Sequence, residues 1–437
     1  MSVKKSIRVL HACMITSLCI MSTGYIDSYT SPIEDSLLET GKFSQDSYSL
    51  FASADYLGGT FSSTIGGLIS EWLGIKTSLI VTSQLGTLGT ILLIIANDSV
   101  SMTIGRLLIG FYTGMSISWA IVYNSEIAPD SVKKLCGAIL AISLRIGVLI
   151  SYSLGLWISY RWLAVLYMLM IAFTTLNFVF LPETPRWLRN KGWDDRANQA
   201  REYYFYNPSQ DNSINEEISE NVNASFSQKI SSYFVWPVLR PLLVCCTIQI
   251  FKASSGHEYL LGYSAHTLES SVSINPKIAG LLFAVPLLIG GILFLWVIQR
   301  ISWKKLLLVT TIFQISSNGL LSLTIYLSTD KFHCSNTHIS QETTICQILE
   351  FAPLIFVAMY AFTYTFGWGS IGWWLIGEIL HPHYNRVSAG IATFAAYSFS
   401  YLDMQISPLL EEHFGSQIVF LIQAITSLLG FILQIFY

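Results

Sequence analysis

Long runs of apolar residues alternate with short polar stretches along this chain. A helix that crosses a hydrocarbon core of about 30 Å needs about 20 consecutive residues of this kind. Runs of that length lie at 9–29, 49–69, 77–96, 102–123, 135–157, 162–181, 241–263, 278–298, 306–328, 351–376, 388–409 and 415–437. The pattern therefore predicts an all-α membrane protein with twelve transmembrane helices.

One long polar stretch, 189–240, divides the predicted helices into six and six. We therefore expect an N-terminal six-helix half at 1–181, a cytoplasmic linker segment at 182–240 and a C-terminal six-helix half at 241–437. This arrangement is typical of transporters whose two halves rock around a site near the middle of the bilayer.

Lysines and arginines in the short loops predict the orientation. They fall on the side of the membrane that holds the long polar stretch and both termini, and positive loops mark the cytoplasmic side. These residues are Lys4, Lys5, Arg8, Lys76, Lys133, Lys134, Arg300, Lys304, Lys305 and Arg386. Both termini are therefore predicted to be cytoplasmic, and we expect the plasma membrane in preference to an internal membrane.

Composition supports a membrane protein and argues against other classes. Of 437 residues, 52% are hydrophobic and 12% are charged, which is about half the charged fraction of an ordinary soluble domain. The net charge of −3 indicates no nucleic-acid partner, so the expected partners are the lipid bilayer and a small-molecule solute. The loops show no nucleophile with a base and no set of metal ligands, so we expect no enzyme, cofactor or metal. Cys334 and Cys346 share a late loop, and their pairing stays open.

Several motifs resemble one family. The sixth run ends in FLPETPRWL at 180–188, where two prolines stop the helix and a tryptophan and an arginine suit the headgroup layer. This stretch resembles the signature that closes the sixth helix of sugar porters of the major facilitator superfamily. GR at 105–106 with YNSEIAP at 123–129, and GSIGWWLIGEIL at 369–380, are similar to further elements of that family. The resemblance covers nearly the whole chain and implies the major facilitator fold and sugar transport by alternating access.

The resemblance also implies a gate at the cytoplasmic mouths of the helices. Acids and arginines there would form charge-assisted pairs that link the two halves in one conformation and separate in the other. The predicted gating residues are Arg106, Glu126, Glu183, Arg186, Glu378 and Arg386. The alternative is that these side chains only reach from the interface into water.

The substrate site is where the resemblance weakens. Sugar porters carry Gln-Gln-x-Ser-Gly-x-Asn in the seventh helix, and this chain has KASSGHE at 252–258 with Tyr263 beyond it, so the amides that would bind sugar hydroxyls are missing. Of the family's ring-stacking residues, Trp373 remains. The predicted substrate-binding residues are Trp373, Lys252, Ser255, Gly256, Glu258 and Tyr263.

Charge replaces the missing amides. Lys252, Glu258 and Arg145 lie inside apolar runs, where an ionisable group costs about 2.5–3.5 kcal/mol unless it faces a cavity or a partner. We expect each charge to be matched by a partner, such as Arg145 for Glu258, or by a group on the solute. The alternative is that the run boundaries are inexact and one charge reaches the interface.

Three functions remain open at this point. The first is a hexose or trehalose transporter, since YTSP at 29–32 looks like the corresponding motif of insect trehalose transporters. The second is a secondary transporter of a charged organic solute, and the third is a transport-deficient member that acts as a sensor or scaffold. Asp27 lies one residue beyond the acid of proton-coupled sugar porters, so we expect facilitation without proton coupling. Family members continue into a second Pro-Glu-Thr-Lys-Gly segment, so we also expect that this sequence is truncated or comes from an incomplete gene model.

Overall fold

The computed structural model describes residues 3–204, 235–269, 276–327, 344–381 and 384–435, and its elements there are helices. The α-helices are α1 (Val3–Asp27), α2 (Glu34–Glu39), α3 (Gln45–Leu73), α4 (Ile75–Ile95), α5 (Ser99–Ile127), α6 (Asp130–Gly155), α7 (Tyr160–Phe180), α8 (Pro185–Asn190), α9 (Asp194–Tyr204), α10 (Trp236–Ala253), α11 (His257–Glu269), α12 (Pro276–Val297), α13 (Trp303–Tyr326), α14 (Thr344–Phe366), α15 (Trp368–Ile379), α16 (Asn385–Phe414) and α17 (Ser416–Ile435). We call α1–α9 the N-terminal set and α10–α17 the C-terminal set. The near face is the membrane face where α1 begins, and the far face is the opposite one.

A helix, or a pair of helices, lies at every predicted transmembrane position. In the part of the chain that the structure describes, 10 stretches are long and apolar enough to cross a membrane. The two predicted positions outside that group are α3 and α16, which are 29 and 30 residues long but carry more polar and small residues. Their polar faces pack against each other inside the protein, so they do not have to meet lipid.

Two of the predicted membrane helices are broken in the middle. The seventh is divided into α10 and α11 at Ser254–Gly256, and the tenth into α14 and α15 at Gly367. Gly256 has a φ of +91°, a conformation that a residue with a Cβ rarely adopts. Irregular backbone at membrane depth is tolerated where protein buries it or where it lines a cavity. The breaks therefore indicate where a site can form.

The two sets meet most extensively along α3 with α16 and α6 with α12. Close approach of α3 and α16 depends on glycine, because a Cβ on Gly390 would lie 2.6 Å from the carbonyl oxygen of Ser63. The backbones of these helices can therefore approach within a distance that a larger residue would prevent.

We predict that Gly390→Val destabilises the protein by about 1–3 kcal/mol, because the added atoms overlap the α3 backbone. The measurement is the thermal unfolding of the purified protein in detergent. The matched control is Gly319→Val in α13, where an added Cβ meets no atom within 4 Å. Equal losses of stability in the two variants would contradict this account of the α3–α16 contact.

Candidate functional site

An inner cavity of about 390 Å³ lies between the two sets, next to the breaks in the seventh and tenth predicted helices. Its walls come from α1, α3, α5 and α6 on one side and from α11, α14, α15 and α16 on the other. The lining residues are Asp27, Tyr56, Ile117, Leu144, Arg145, His257, Glu258, Leu261, Tyr364, Trp373, Ala396, Tyr397 and Ser400. A cavity with apolar and aromatic walls and several convergent polar groups is suited to a small polar molecule.

A second cavity, of about 510 Å³, extends from there towards the near face. It is mostly apolar, and Lys133 and Glu378 lie in its wall. Ile117, Leu144 and Trp373 line both cavities, so they form the boundary between them. Trp373 therefore lies where the sequence predicts a ring that contacts the solute.

Lys252 is held by Trp373. Its Nζ lies 3.7 Å from the centre of the Trp373 ring, and the side chain is 1% exposed. An ammonium over the face of a tryptophan ring is attracted by the ring's negative face, and more strongly when it is removed from water. The lysine therefore occupies one face of Trp373, and that face is closed to a sugar.

Glu258 links the two sets. Its Oε2 accepts a hydrogen bond of 2.8 Å from the hydroxyl of Tyr56 in α3. Among the described residues no ion pair joins Glu258 to Arg145, so the predicted pairing of these two charges is wrong. Arg145 instead packs against the aromatic groups of α11 and α14.

Arg145 reaches from α6 into the C-terminal set. Its Nη1 lies 3.0 Å from Nε2 of His257, and its guanidinium lies 5.4 Å from the centre of the Tyr364 ring. The His257 ring stacks on Tyr364 with 3.8 Å between centroids. Because a guanidinium can only donate, Nε2 of His257 must accept, and the imidazole is neutral with its proton on Nδ1.

Four of the predicted binding residues lie outside both cavities, and they are Lys252, Ser255, Gly256 and Tyr263. The hydroxyl of Ser255 donates to the Lys252 carbonyl at 2.7 Å, and Gly256 forms the break itself. Tyr263 packs against the rings of Tyr48 and Tyr259, with centroids 6.3 and 5.8 Å away. Ser255, Gly256 and Tyr263 shape the broken helix, and their role in binding a solute stays a prediction.

The cavity also contains residues that the sequence did not single out as binding residues. His257, Tyr56, Tyr364 and Tyr397 belong to four different helices, and single aromatic or histidine residues in apolar runs carry no signal of their own. The motif KASSGHE contained the one available indication, because His257 adjoins Glu258. Asp27 lines the cavity as well, and the ion partner of Arg106 is a different acid.

At the near face an ion pair joins the two sets. Arg386 of α16 contacts Glu126 of α5 through two bonds, Nη2 to Oε2 at 3.0 Å and Nε to Oε1 at 3.3 Å. The same guanidinium donates to the carbonyl of Ser70 at 2.6 Å and to the hydroxyl of Thr184 at 2.9 Å. The structure thus brings Glu126 and Arg386 together, and we call this pair the near-face lock.

Glu183 and Arg186 lie beside the near-face lock, in the stretch that leads from α7 into α8. Oε2 of Glu183 accepts from the backbone N–H of Lys76 at 2.9 Å, so this acid fixes the start of α4. Burial raises the pKa of the Glu183 carboxyl, and the Arg386 guanidinium opposes that shift. Arg186 is the second residue of α8.

Arg106 does not lie at the near face, and its predicted place in this gate is wrong. α5 is one continuous helix, so Arg106 and Glu126 are about 30 Å apart along it. Arg106 instead forms an ion pair of 3.0 Å with Asp55 and donates to the carbonyl of Ile26 at 2.8 Å, on the far side of the inner cavity.

Glu378 lines the second cavity but does not join the near-face lock. Among the described residues it forms no ion pair within 4.0 Å, and its buried Oε1 has no hydrogen-bond partner. The pairing that the sequence predicted for Glu378 is therefore not found. Cys334 and the side chain of Cys346 lie outside the described residues.

We predict that Glu126→Gln opens the near face, because the amide removes the carboxylate that pairs with the buried Arg386 guanidinium. The measurement is thiol labelling of Ile121→Cys, a position in the second cavity, which we expect to become about tenfold faster, equivalent to about 1.4 kcal/mol. Glu202→Gln is the matched control, because Glu202 is exposed on α9. Unchanged labelling in Glu126→Gln would show that this pair does not close the near face.

Comparison with known proteins agrees with this architecture. Residues 9–437 match the family model described as "Sugar (and other) transporter". The chain is 26% identical to the sugar transporter ERD6-like 6 of Arabidopsis thaliana, over 93% of this chain and 82% of that protein. It is 27% identical to the solute carrier family 2 facilitated glucose transporter member 6 of Mus musculus, over 95% of this chain and 85% of that protein. A solved structure of the MFS (major facilitator superfamily) proton:xylose symporter XylE, bound to 6-bromo-6-deoxy-D-glucose, shares the fold. It has a TM-score of 0.82 at 15% identity and covers 99% of this chain and 96% of that one.

Proposed function

Because this chain belongs to the sugar (and other) transporter family, we propose that it carries a sugar across a membrane by alternating access. The observation that carries the proposal is the inner cavity, which lies between the two sets of helices and is bounded towards each face by contacts that join them. A site that opens to one side at a time needs contacts of this kind, because each must form and break once in a cycle.

The contacts that separate would differ between the two faces. At the near face, the contact that separates is the near-face lock of Glu126 and Arg386. Towards the far face, two hydrogen bonds separate. The Tyr152 hydroxyl donates to the Leu261 carbonyl at 2.6 Å, and the Gln405 amide donates to the Ser49 carbonyl at 3.2 Å. In this proposal the halves 1–181 and 241–437 rock against each other, and the segment 182–240 connects them.

A neutral solute fits the charges of the cavity better than an ion does. In the cavity wall, Asp27 and Glu258 supply two formal negative charges and Arg145 supplies one positive charge. Lys252 lies outside the wall, on the ring of Trp373, and supplies a second positive charge. The fixed charges balance, so a net-neutral solute adds no unpaired charge, whereas an organic anion or cation would. The proposed solute is therefore a hexose or a similar small sugar, which is released chemically unchanged.

The proposed orientation places the near face in the cytoplasm. Lys133 in the wall of the second cavity and Arg300 beside Trp296 belong to the positive loops of that face. Both termini would then be cytoplasmic, and the plasma membrane is the proposed location.

We predict that proteoliposomes containing the purified protein take up D-glucose or trehalose, and that Trp373→Ala lowers the initial rate about tenfold, because the ring bounds both cavities and holds Lys252. The measurement is uptake of the radiolabelled sugar. Trp157→Ala is the matched control, because that ring is 85% exposed between α6 and α7.

Uptake of a charged organic solute in place of both sugars would refute the proposed substrate. If no solute of a panel of sugars, organic anions and organic cations is taken up, the transport proposal itself fails. The result would then favour the hypothesis of a sensor or scaffold.

A further inference from the structure

The contact between Arg145 and His257 joins the two sets of helices at the wall of the inner cavity. Both side chains are 2% exposed, and the arginine lies against the backbone of α15, where a Cβ on Gly369 would come within 2.7 Å of Nη2. The C-terminal set thus contains a binding pocket for the arginine side chain, formed by the His257 imidazole, the Tyr364 ring and Gly369.

The same contact fixes which groups face a solute. Because Nε2 of His257 accepts from Arg145, the imidazole proton is on Nδ1. In the described part of the chain Nδ1 is buried without a hydrogen-bond partner, and so are Oδ1 of Asp27 and the hydroxyl of Tyr397. All three residues line the inner cavity. A buried donor or acceptor without a partner costs about 1–3 kcal/mol, so the cavity is suited to a molecule that both donates and accepts.

We propose that His257 is a solute-binding residue that donates its Nδ1 proton to a solute hydroxyl, and that Arg145 is its positioning residue, which holds the imidazole neutral and in the correct tautomer. This inference rests on the proposed function, since it concerns the same cavity. Asp27 would accept from the hydroxyls of the same solute. The arrangement replaces the seventh-helix amides that this chain lacks, and it adds a dependence on protons that amides do not have.

A proton on His257 would oppose closure of the cavity. The imidazolium has no lone pair, so it cannot accept from Arg145, and two cations about 3 Å apart repel each other strongly away from water. The charged and titratable groups around His257 are Arg145 on α6, Tyr364 on α14, Lys252 on α10, Glu258 on α11, Asp27 on α1, Tyr56 on α3 and Tyr397 on α16. The nearest of them is the arginine, so separation of the two sets relieves the repulsion.

The consequence is competition between protons and solute. The imidazole of a solvated histidine titrates near pH 6.5, so we expect His257 of an open carrier, where water reaches it, to bind a proton in that range. Closure around the solute requires the neutral form, so proton binding and closure weaken each other by the same factor. At pH 5.5 about 90% of open carriers would hold the proton, so the apparent KM for the solute rises about tenfold relative to pH 7.5.

The test is the KM of D-glucose and trehalose uptake into proteoliposomes at pH 7.5 and at pH 5.5, with the same pH on both sides. In His257→Asn the amide accepts from Arg145, donates to the solute and does not titrate, so uptake persists and its KM changes less than twofold between the two values. The matched control is His413→Asn, an exposed histidine at the end of α16, which keeps the wild-type response. An equal rise of KM in wild type and in His257→Asn would overturn the proposal.

The role of Arg145 has its own readout. Arg145→Gln keeps a donor for Nε2 of His257 but removes the positive charge, so we expect the rise of KM in acid to become smaller although uptake is weaker at both pH values. A weaker uptake with an unchanged response to acid would mean that Arg145 only stabilises the fold, and the positioning role would be refuted.

A measurement without solute separates this inference from the proposed function. Ser400 lines the inner cavity, and the labelling rate of Ser400→Cys by a polar thiol reagent reports how often the cavity opens. The ratio of this rate between wild-type His257 and His257→Asn cancels the effect of pH on the thiol. We expect the ratio to rise from pH 7.5 to pH 5.5, even if neither sugar is transported. A constant ratio would refute the proton-sensitive contact, whatever the solute.

Discussion

Charges inside a membrane protein must be matched inside the protein, because the hydrocarbon core offers no water, and this constraint governs the placement of nearly every functional group in this chain. Arg106 is matched by Asp55 within the N-terminal set, and that pair stabilises one unit. Arg386 is matched by Glu126 across the sets, and that pair stabilises one arrangement of two units. The same chemistry therefore has different consequences, which depend only on whether the partners belong to one set or to both.

The charges in the wall of the inner cavity and next to it follow the same rule with weaker partners. Lys252 faces an aromatic ring, Arg145 faces a neutral imidazole, and Glu258 faces a tyrosine hydroxyl. None of these partners carries a full opposite charge, so each contact costs less to break than a buried ion pair. Partners of this kind suit a site that must be rearranged when a solute enters and leaves. The full ion pair at the near face suits a contact that has to hold a closed state.

The sequence predicted the helices well because the bilayer sets their length. The run at 77–96 and α4 (Ile75–Ile95) differ by a few residues, and the same is true of most others. The position of a single residue between the two membrane faces was harder to predict. Arg106 was assigned to the near face from its motif alone, although its distance from Glu126 along a continuous helix places it near the far face. Lys252 and Glu258 were found because charge is rare in apolar runs, whereas Tyr56 and His257 are ordinary residues in such runs and gain their role only from helices far away in the sequence.

At the broken seventh helix, the residues that match the family pattern are not the residues that line the cavity. Ser255 and Gly256 match the family pattern at the point where the chain breaks, and at this break Gly256 adopts a positive φ while the Ser255 hydroxyl satisfies the Lys252 carbonyl. The residues that face the cavity follow directly, at His257 and Glu258, and they are free to differ from the family as long as the break remains. In the proposed mechanism the break fixes where the solute is bound, and the two residues after it determine the chemistry of binding. A chain of this kind can therefore exchange amides for charged and titratable groups without a change of fold, and its selectivity cannot be inferred from the fold alone.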